Sequence, residues 1–282
     1  TAFQKGKIKL AVVLPNQFGE DLQHMNKASV QLIADASDPN VANTLTNYAT
    51  AVIMDYQNRI TNDQKLPYTI KVETRMLYNP QLKGAYNFVP GVMAMVLLLV
   101  CTMMTAITIV REKEMGTMEI LLVSPMKPQM IVFAKAVPYL LLSTINIASI
   151  LLLSVYALEV PINGSLLLLV SESILFTLVS LSLGLLISSA AESQQVAMFI
   201  SLVALFLPTV MLSGFMFPIE NMPLPLRVVS NIVPAKWYYH IVKSVMIQGV
   251  GITDVWKETV ILIGMMVFFL TVAVKRFKIR LQ

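Results

Sequence analysis

Residues 88–110 run for 23 positions without one charged side chain. At about 1.5 Å per helical residue, that length crosses a hydrocarbon layer of roughly 30 Å. Inside hydrocarbon a backbone must satisfy its own polar groups, so a continuous apolar run reads as a helix. Four more runs follow. Residues 136–158 are uncharged, 165–191 are interrupted only by Glu172, and 196–217 form a fourth. The fifth, 259–274, is short; Trp256, Lys257 and Lys275 at its ends suit snorkelling anchors.

The whole chain is 56% hydrophobic and 13% charged. A soluble domain is about 45–50% apolar and roughly a quarter charged. That deficit excludes a soluble enzyme, a disordered protein and a nucleic-acid-binding domain. The net charge of +5 is read from its placement instead. Arg111, Lys113, Lys127 and Lys135 flank one side of the spans, and Lys275, Arg276, Lys278 and Arg280 close the chain. Such clusters belong in the cytoplasm, which puts residues 1–87 and 218–258 outside.

Residues 1–87 have a different composition, with nine basic and seven acidic side chains. Residues 8–14, 28–34 and 68–76 read as strands whose partners are not evident within the segment. Asp38-Pro39 reads as a helix start, because Asp caps and Pro suits the first helical position. Ala42, Leu45, Ala49, Val52, Ile53, Tyr56 and Ile60 then recur at helical spacing. This is a small α/β domain. It cannot reach the outside without an export signal or an earlier span, so a helix and part of the external domain are expected ahead of residue 1.

Catalytic motifs do not emerge. The single cysteine, Cys101, permits neither an intrachain disulfide nor a Cys-based zinc site. No HExxH offers metal ligands and no GxxxxGK[ST] grips a nucleotide. No catalytic or metal residue is assigned. Residues 111–123 read as a charged amphipathic helix along the membrane or in a partner's groove, with Met115, Met118 and Leu122 on one face; a solvated loop is the alternative. Glu172 is an intramembrane acid, a type often functional; it lies about two turns from the outer end, within reach of water. With Asn146 it is the candidate for a translocation path. In 218–258, Pro223, Pro225 and Pro234 break the chain, and Trp237, Ile241 and Val245 recur at spacing four beside Tyr238 and Tyr239. That pattern suits a re-entrant or interfacial helix with aromatics at headgroup level.

The stretch R-E-K-E-x-G-T-x-E-x-L-L-V-S-P over 111–125, followed by Lys135-Ala136-x-Pro138-Tyr139, resembles the ABC-2 type transporter permeases. Residues 31–40, Tyr78-Asn79-Pro80, Val89-Pro90-Gly91, residues 213–219, Met222-Pro223, residues 232–235 and Gly249-Val250-Gly251 are similar to that family in the same order. The resemblance implies a polytopic α-helical membrane protein, type V exporter-like, with a small α/β extracytoplasmic domain, in the bacterial cytoplasmic membrane. It implies a dimer with a second permease, the same or a sister chain, and a separate ATP-binding cassette subunit that holds ATP and Mg; this chain binds no cofactor. Membrane lipid and a periplasmic adaptor are further expected partners, and nucleic acid is not. By position, residues 111–123 match the coupling helix, which gives that role to Arg111, Glu112, Glu114, Gly116, Thr117 and Glu119. Phe215, Pro218, Pro234, Trp237 and Tyr238 fall in the external gate. The cargo expected is drugs, lipids or other amphiphiles. The alternative is a gradient-driven transporter or channel, which would need more intramembrane charge than Glu172.

Overall fold

The computed structural model describes all residues except 1, 4, 5, 7, 26, 65–67, 117–127 and 280–282. The chain divides into two compact units, Thr1–Asn87 and Phe88–Gln282.

The first unit is a three-stranded sheet with helices. Strand β1 (Leu10–Val13) pairs antiparallel with β2 (Lys27–Asp35), and β2 pairs parallel with β3 (Thr69–Leu77). The strands therefore supply partners for one another. Parallel pairing demands a crossover, which helix α2 (Pro39–Gln64) provides. The Asp38 carboxylate accepts from the backbone amides of Asn40 at 3.1 Å and Val41 at 3.4 Å, so the Asp-Pro start holds. Ala28, Val30 and Leu32 alternate inward along β2 and pack with Leu22, Tyr68 and Ile70. Ala49, Ile53 and Ile60 of α2 cover this core, whereas Val52 and Tyr56 of the same sequence stripe are exposed. A short helix α1 (Phe18–Met25), not legible in the sequence, adds Phe18 and Leu22 to the core.

Among its described residues the second unit contains five helices long and apolar enough to cross a membrane. They are α3 (Ala85–Glu114), α4 (Pro128–Tyr156), α5 (Leu166–Ala190), α6 (Gln194–Leu212) and α9 (Ile252–Ile279). Half of the apolar window of α3 and of α5 is buried, against 17–22% for α4, α6 and α9. Helices α3 and α5 thus form the centre, and the others turn wide faces such as Phe199, Leu202 and Phe206 outward. Outward apolar faces suit lipid.

Several boundaries differ from the sequence reading, and α4 begins at Pro128, eight residues before its uncharged run. The fourth span ends at Leu212, because Ser213–Phe217 bend around Gly214 at φ +86°. The fifth is not short: it begins at Ile252, seven residues before the apolar run. Asp254, Lys257 and Glu258 in its opening turns hid those turns from a hydropathy reading.

Small residues bring the central helices together. A Cβ on Gly184 of α5 would lie 2.6 Å from the Thr102 carbonyl oxygen and 2.8 Å from Thr105 Cβ of α3. Four residues earlier, the Ser180 carbonyl accepts from Thr102 Oγ1 at 2.9 Å. Close backbone approach at small residues is how membrane helices gain packing without a hydrophobic drive. Helix α4 is tied to α3 by Cys101 with Ser143, 2.9 Å apart, and by Thr108 with Tyr139. Replacing Gly184 by Val should force α3 and α5 apart and cost about 1–3 kcal/mol. Gly264→Ala, where nothing lies within 4 Å of the added Cβ, should be neutral. Thermal melting of the two purified variants checks this; equal melting would contradict the close contact.

Candidate functional site: the two ends of the helix bundle

At the end where α3 starts, the chain between α6 and α9 folds into short helices. A 3-10 turn (Ile219–Asn221), capped at Pro218, leads to α7 (Leu224–Ser230) and α8 (Pro234–Lys243). A π turn (Ser244–Gln248) follows and ends on Gly249 at φ +69°. The prolines begin helices here rather than break the chain: Pro234 occupies the first turn of α8, where its missing N–H is not needed.

Helix α8 inserts into the bundle. Tyr238 is fully buried and stacks on Phe176 of α5, centroids 4.1 Å apart and planes within 3°. Its hydroxyl lies 2.7 Å from Ser173 Oγ. Phe176 is ten residues into α5, about 15 Å along the axis. Tyr238 is therefore an interior strut and not the headgroup-level aromatic the sequence indicated. Trp237 fits the rim: its indole N–H donates to the Asn231 carbonyl at 3.0 Å, and the Lys236 ammonium sits 5.0 Å from its ring centroid. Burial, then the Arg227 charge, hold Lys236 below its ordinary pKa, with Glu220 acting the other way.

Two further contacts close this end. The Phe215 ring lies flat on Gly91 of α3, where a Cβ would come within 1.9 Å of it, and Phe88 and Tyr239 flank it at 5.8 and 6.5 Å. The loop between α4 and α5 clasps the π turn. The Asn163 backbone amide donates to the Met246 carbonyl at 2.9 Å, and its side-chain amide donates to the Ile247 carbonyl at 2.8 Å. Gly164 permits this approach, since its Cβ would stand 2.3 Å from the Val245 carbonyl oxygen. Phe215, Pro218, Pro234, Trp237 and Tyr238 all lie at this end, but they serve different contacts.

Glu172 departs from the sequence reading. It does not reach water: it is 3% exposed, and its Oε1 lies 2.8 Å from Thr259 Oγ1 of α9. Asn146 is half-buried on α4, where its carbonyl accepts from Ser149, so the structure gives the two residues different surroundings. His240 Nδ1 lies 3.5 Å from Glu258 Oε1. Among the described residues no cluster of His, Cys, Asp and Glu is fit to hold a metal.

At the other end, Arg111–Glu114 do not start a new helix; they are the last turn of α3, and Gly116 at φ +70° closes it. Thr117 and Glu119, with the rest of 117–123, lie outside the described residues. The last turn grips two helix ends at once. Lys113 Nζ donates to the Ser188 carbonyl near the C-terminus of α5. The Glu114 carboxylate accepts from the Gln194 backbone amide at 2.9 Å and from its side-chain amide, at the N-terminus of α6. Cation on C-terminal carbonyls and anion on N-terminal amides is the arrangement helix dipoles favour. Ser188 and Gln194 were not singled out in the sequence, and Lys113 was noted only as one of the basic residues flanking the spans. The one available signal was Ser193, an N-cap residue; its hydroxyl accepts from the Val196 amide at 3.3 Å.

Five apolar helices, an inserted aromatic helix at one end and a charged clasp at the other define a polytopic α-helical membrane protein. The chain belongs to the ABC-2 transporter family, which it matches as "ABC-2 family transporter protein" over residues 1–275. It is 36% identical over 249 residues to the Escherichia coli protein named "Probable multidrug ABC transporter permease YbhS", covering 87% of this chain and 66% of that one. It is 32% identical over 252 residues to the E. coli protein of the same description named YbhR, covering 89% and 68%. To the "Inner membrane transport permease YhhJ" of E. coli it is 29% identical over 280 residues, covering 97% and 74%. The chain thus spans about two thirds of the length of the first relatives.

Tyr238→Phe should keep the stack on Phe176, lose the Ser173 contact, and cost about 0.5–1.5 kcal/mol. Tyr238→Ala should empty the stack and cost about 3–5 kcal/mol. Thermal melting in detergent orders the two; equal losses would mean the ring does not pack as described.

Proposed function

We propose that this chain is the membrane-spanning permease of an ATP-driven ABC-2 exporter. It pairs with a second permease, a copy or a sister chain, and with a separate ATP-binding cassette subunit that binds ATP and Mg. The basic residues beside the end of α3 and at the chain terminus put that end in the cytoplasm of the inner-membrane protein. Residues 1–87 and helices α7 and α8 then face outward, where a periplasmic adaptor would meet them. Relatives named as multidrug permeases support amphiphilic cargo for this chain too.

The observation that carries the reading is the clasp made by Lys113 and Glu114. An ATPase seated against the segment after Gly116 meets a helix end already fixed to both arms of the α5–α6 hairpin. ATP binding shifts a conformational equilibrium only through contacts that differ between the two states. A push on the end of α3 is passed to α5 by the lysine and to α6 by the glutamate, so three spans move as one body. Arg111 and Glu112 share this turn and take the coupling role with it; Thr117 and Glu119 take that role from the family resemblance alone and lie outside the described residues.

Glu114→Lys puts a cation on the N-terminus of α6 and breaks the clasp. In proteoliposomes holding the complete permease and its ATPase, transport should fall at least about tenfold while insertion and dimer yield stay unchanged. Wild-type transport in this variant would contradict the proposed route.

A further inference from the structure

The junction of α5, α8 and α9 buries a carboxyl group that the reading above does not use. Glu172 Oε1 lies 2.8 Å from Thr259 Oγ1, and the same hydroxyl lies 3.0 Å from the Val255 carbonyl oxygen. A threonine hydroxyl has one proton. If Glu172 were a carboxylate, it and the Val255 carbonyl would both need that proton. Oε2 deepens the deficit, because it is buried with no hydrogen-bond partner among the described residues.

The Tyr238 hydroxyl does not fill the gap. Ser173 Oγ donates to the Leu169 carbonyl at 2.7 Å, so in the 2.7 Å contact between Ser173 and Tyr238 the phenol is the donor. The Tyr238 proton is then committed to Ser173. An anion at Glu172 would have half a donor for two oxygens inside an apolar span, among the costliest arrangements a protein can hold.

One added proton removes the buried anion and the competition for the Thr259 proton. With the proton on Oε1, Glu172 donates to Thr259 and Thr259 donates to Val255, while Oε2 becomes a neutral carbonyl oxygen. The chain Glu172–Thr259–Val255 then repeats the neighbouring chain Tyr238–Ser173–Leu169. In each, a group crosses between helices to a hydroxyl that bonds the carbonyl four residues before it.

We propose that Glu172 is a proton-binding site, and that its bound proton ties α5 to α9 beside the inserted α8. Of the titratable groups on the neighbouring helices, the Tyr238 phenol of α8 interacts with it, while His240 of α8 and Glu258 of α9 lie 3.5 Å from each other. The lysines of α8 bond elsewhere, Lys236 to Asn231 and Lys243 to Tyr239. Asp254 and Lys257 are exposed at the start of α9.

The test uses the purified complete permease in nanodiscs without an ATPase, so its outcome is independent of the transport reading. Infrared spectra should contain a protonated-carboxyl C=O band that shifts in D2O and is missing from Glu172→Gln. The proton-bound form is the native one. Its stability is therefore fully present at low pH and lost as pH rises through the titration of Glu172. The wild-type melting temperature should fall over that range, whereas Glu172→Gln, a neutral donor of the same shape, should stay flat, and Glu172→Ala should melt lower at every pH. The proposal is overturned if the band survives in Glu172→Gln, or if that variant melts as low as Glu172→Ala. A Gln variant that does not fold overturns it equally, because the amide reproduces the neutral donor.

Discussion

The close approach of α3 and α5 at Gly184 is the contact on which the membrane unit depends. Leu and Phe gain little by leaving lipid for another helix, so association needs near-touching backbones and hydrogen bonds between them. Gly184 permits the first, and Thr102 on the Ser180 carbonyl supplies the second. With α3 and α5 locked, their outer faces become fixed platforms. Cys101 and Thr108 hold α4 to α3, and α9 lies along α5, joined through Thr259 and Glu172.

A second constraint acts at the ends. Backbone groups freed where a helix stops need partners, and within hydrocarbon no water supplies them. The chain answers with side chains borrowed from other elements. Asn163 takes up the carbonyls of Met246 and Ile247 beside the π turn, and Lys113 and Glu114 take up the finish of α5 and the start of α6. The same bonds that satisfy the backbone also join elements far apart in sequence. Under the proposed function this is useful, since a helix end that is capped by a neighbour is also one that moves with it.

Much of the architecture was legible in the residues because it follows from composition along one dimension. Residues 88–110 and 165–191 lack charge for as long as a membrane is thick, and Asp38-Pro39 starts a helix by local chemistry alone. What was not legible depends on partners distant in sequence. The opening of α9 carries Asp254, Lys257 and Glu258 and reads as loop, although as helix it brings Glu258 to His240. Tyr238 has the look of an interfacial aromatic until Phe176 and Ser173 are placed against it. Glu172 is two turns from a span end by counting, but α9 covers it. Residues 111–114 were charged enough to be noticed; that Lys113 and Glu114 seize opposite helix termini required knowing where α5 ends and α6 begins.

The central claim is that force enters through the last turn of α3 and passes to the α5–α6 hairpin without the clasp opening. Cysteines at 114 and 194, in a Cys101→Ser background, can be joined by a short bifunctional thiol reagent in the assembled transporter. The joined and unjoined forms are then compared for ATP-driven transport. The account predicts ready joining, poor transport in the unjoined form, which lacks the Glu114 carboxylate, and recovery of transport on joining, because the clasp travels as one body. Failure to join, or no recovery of transport on joining, would contradict it.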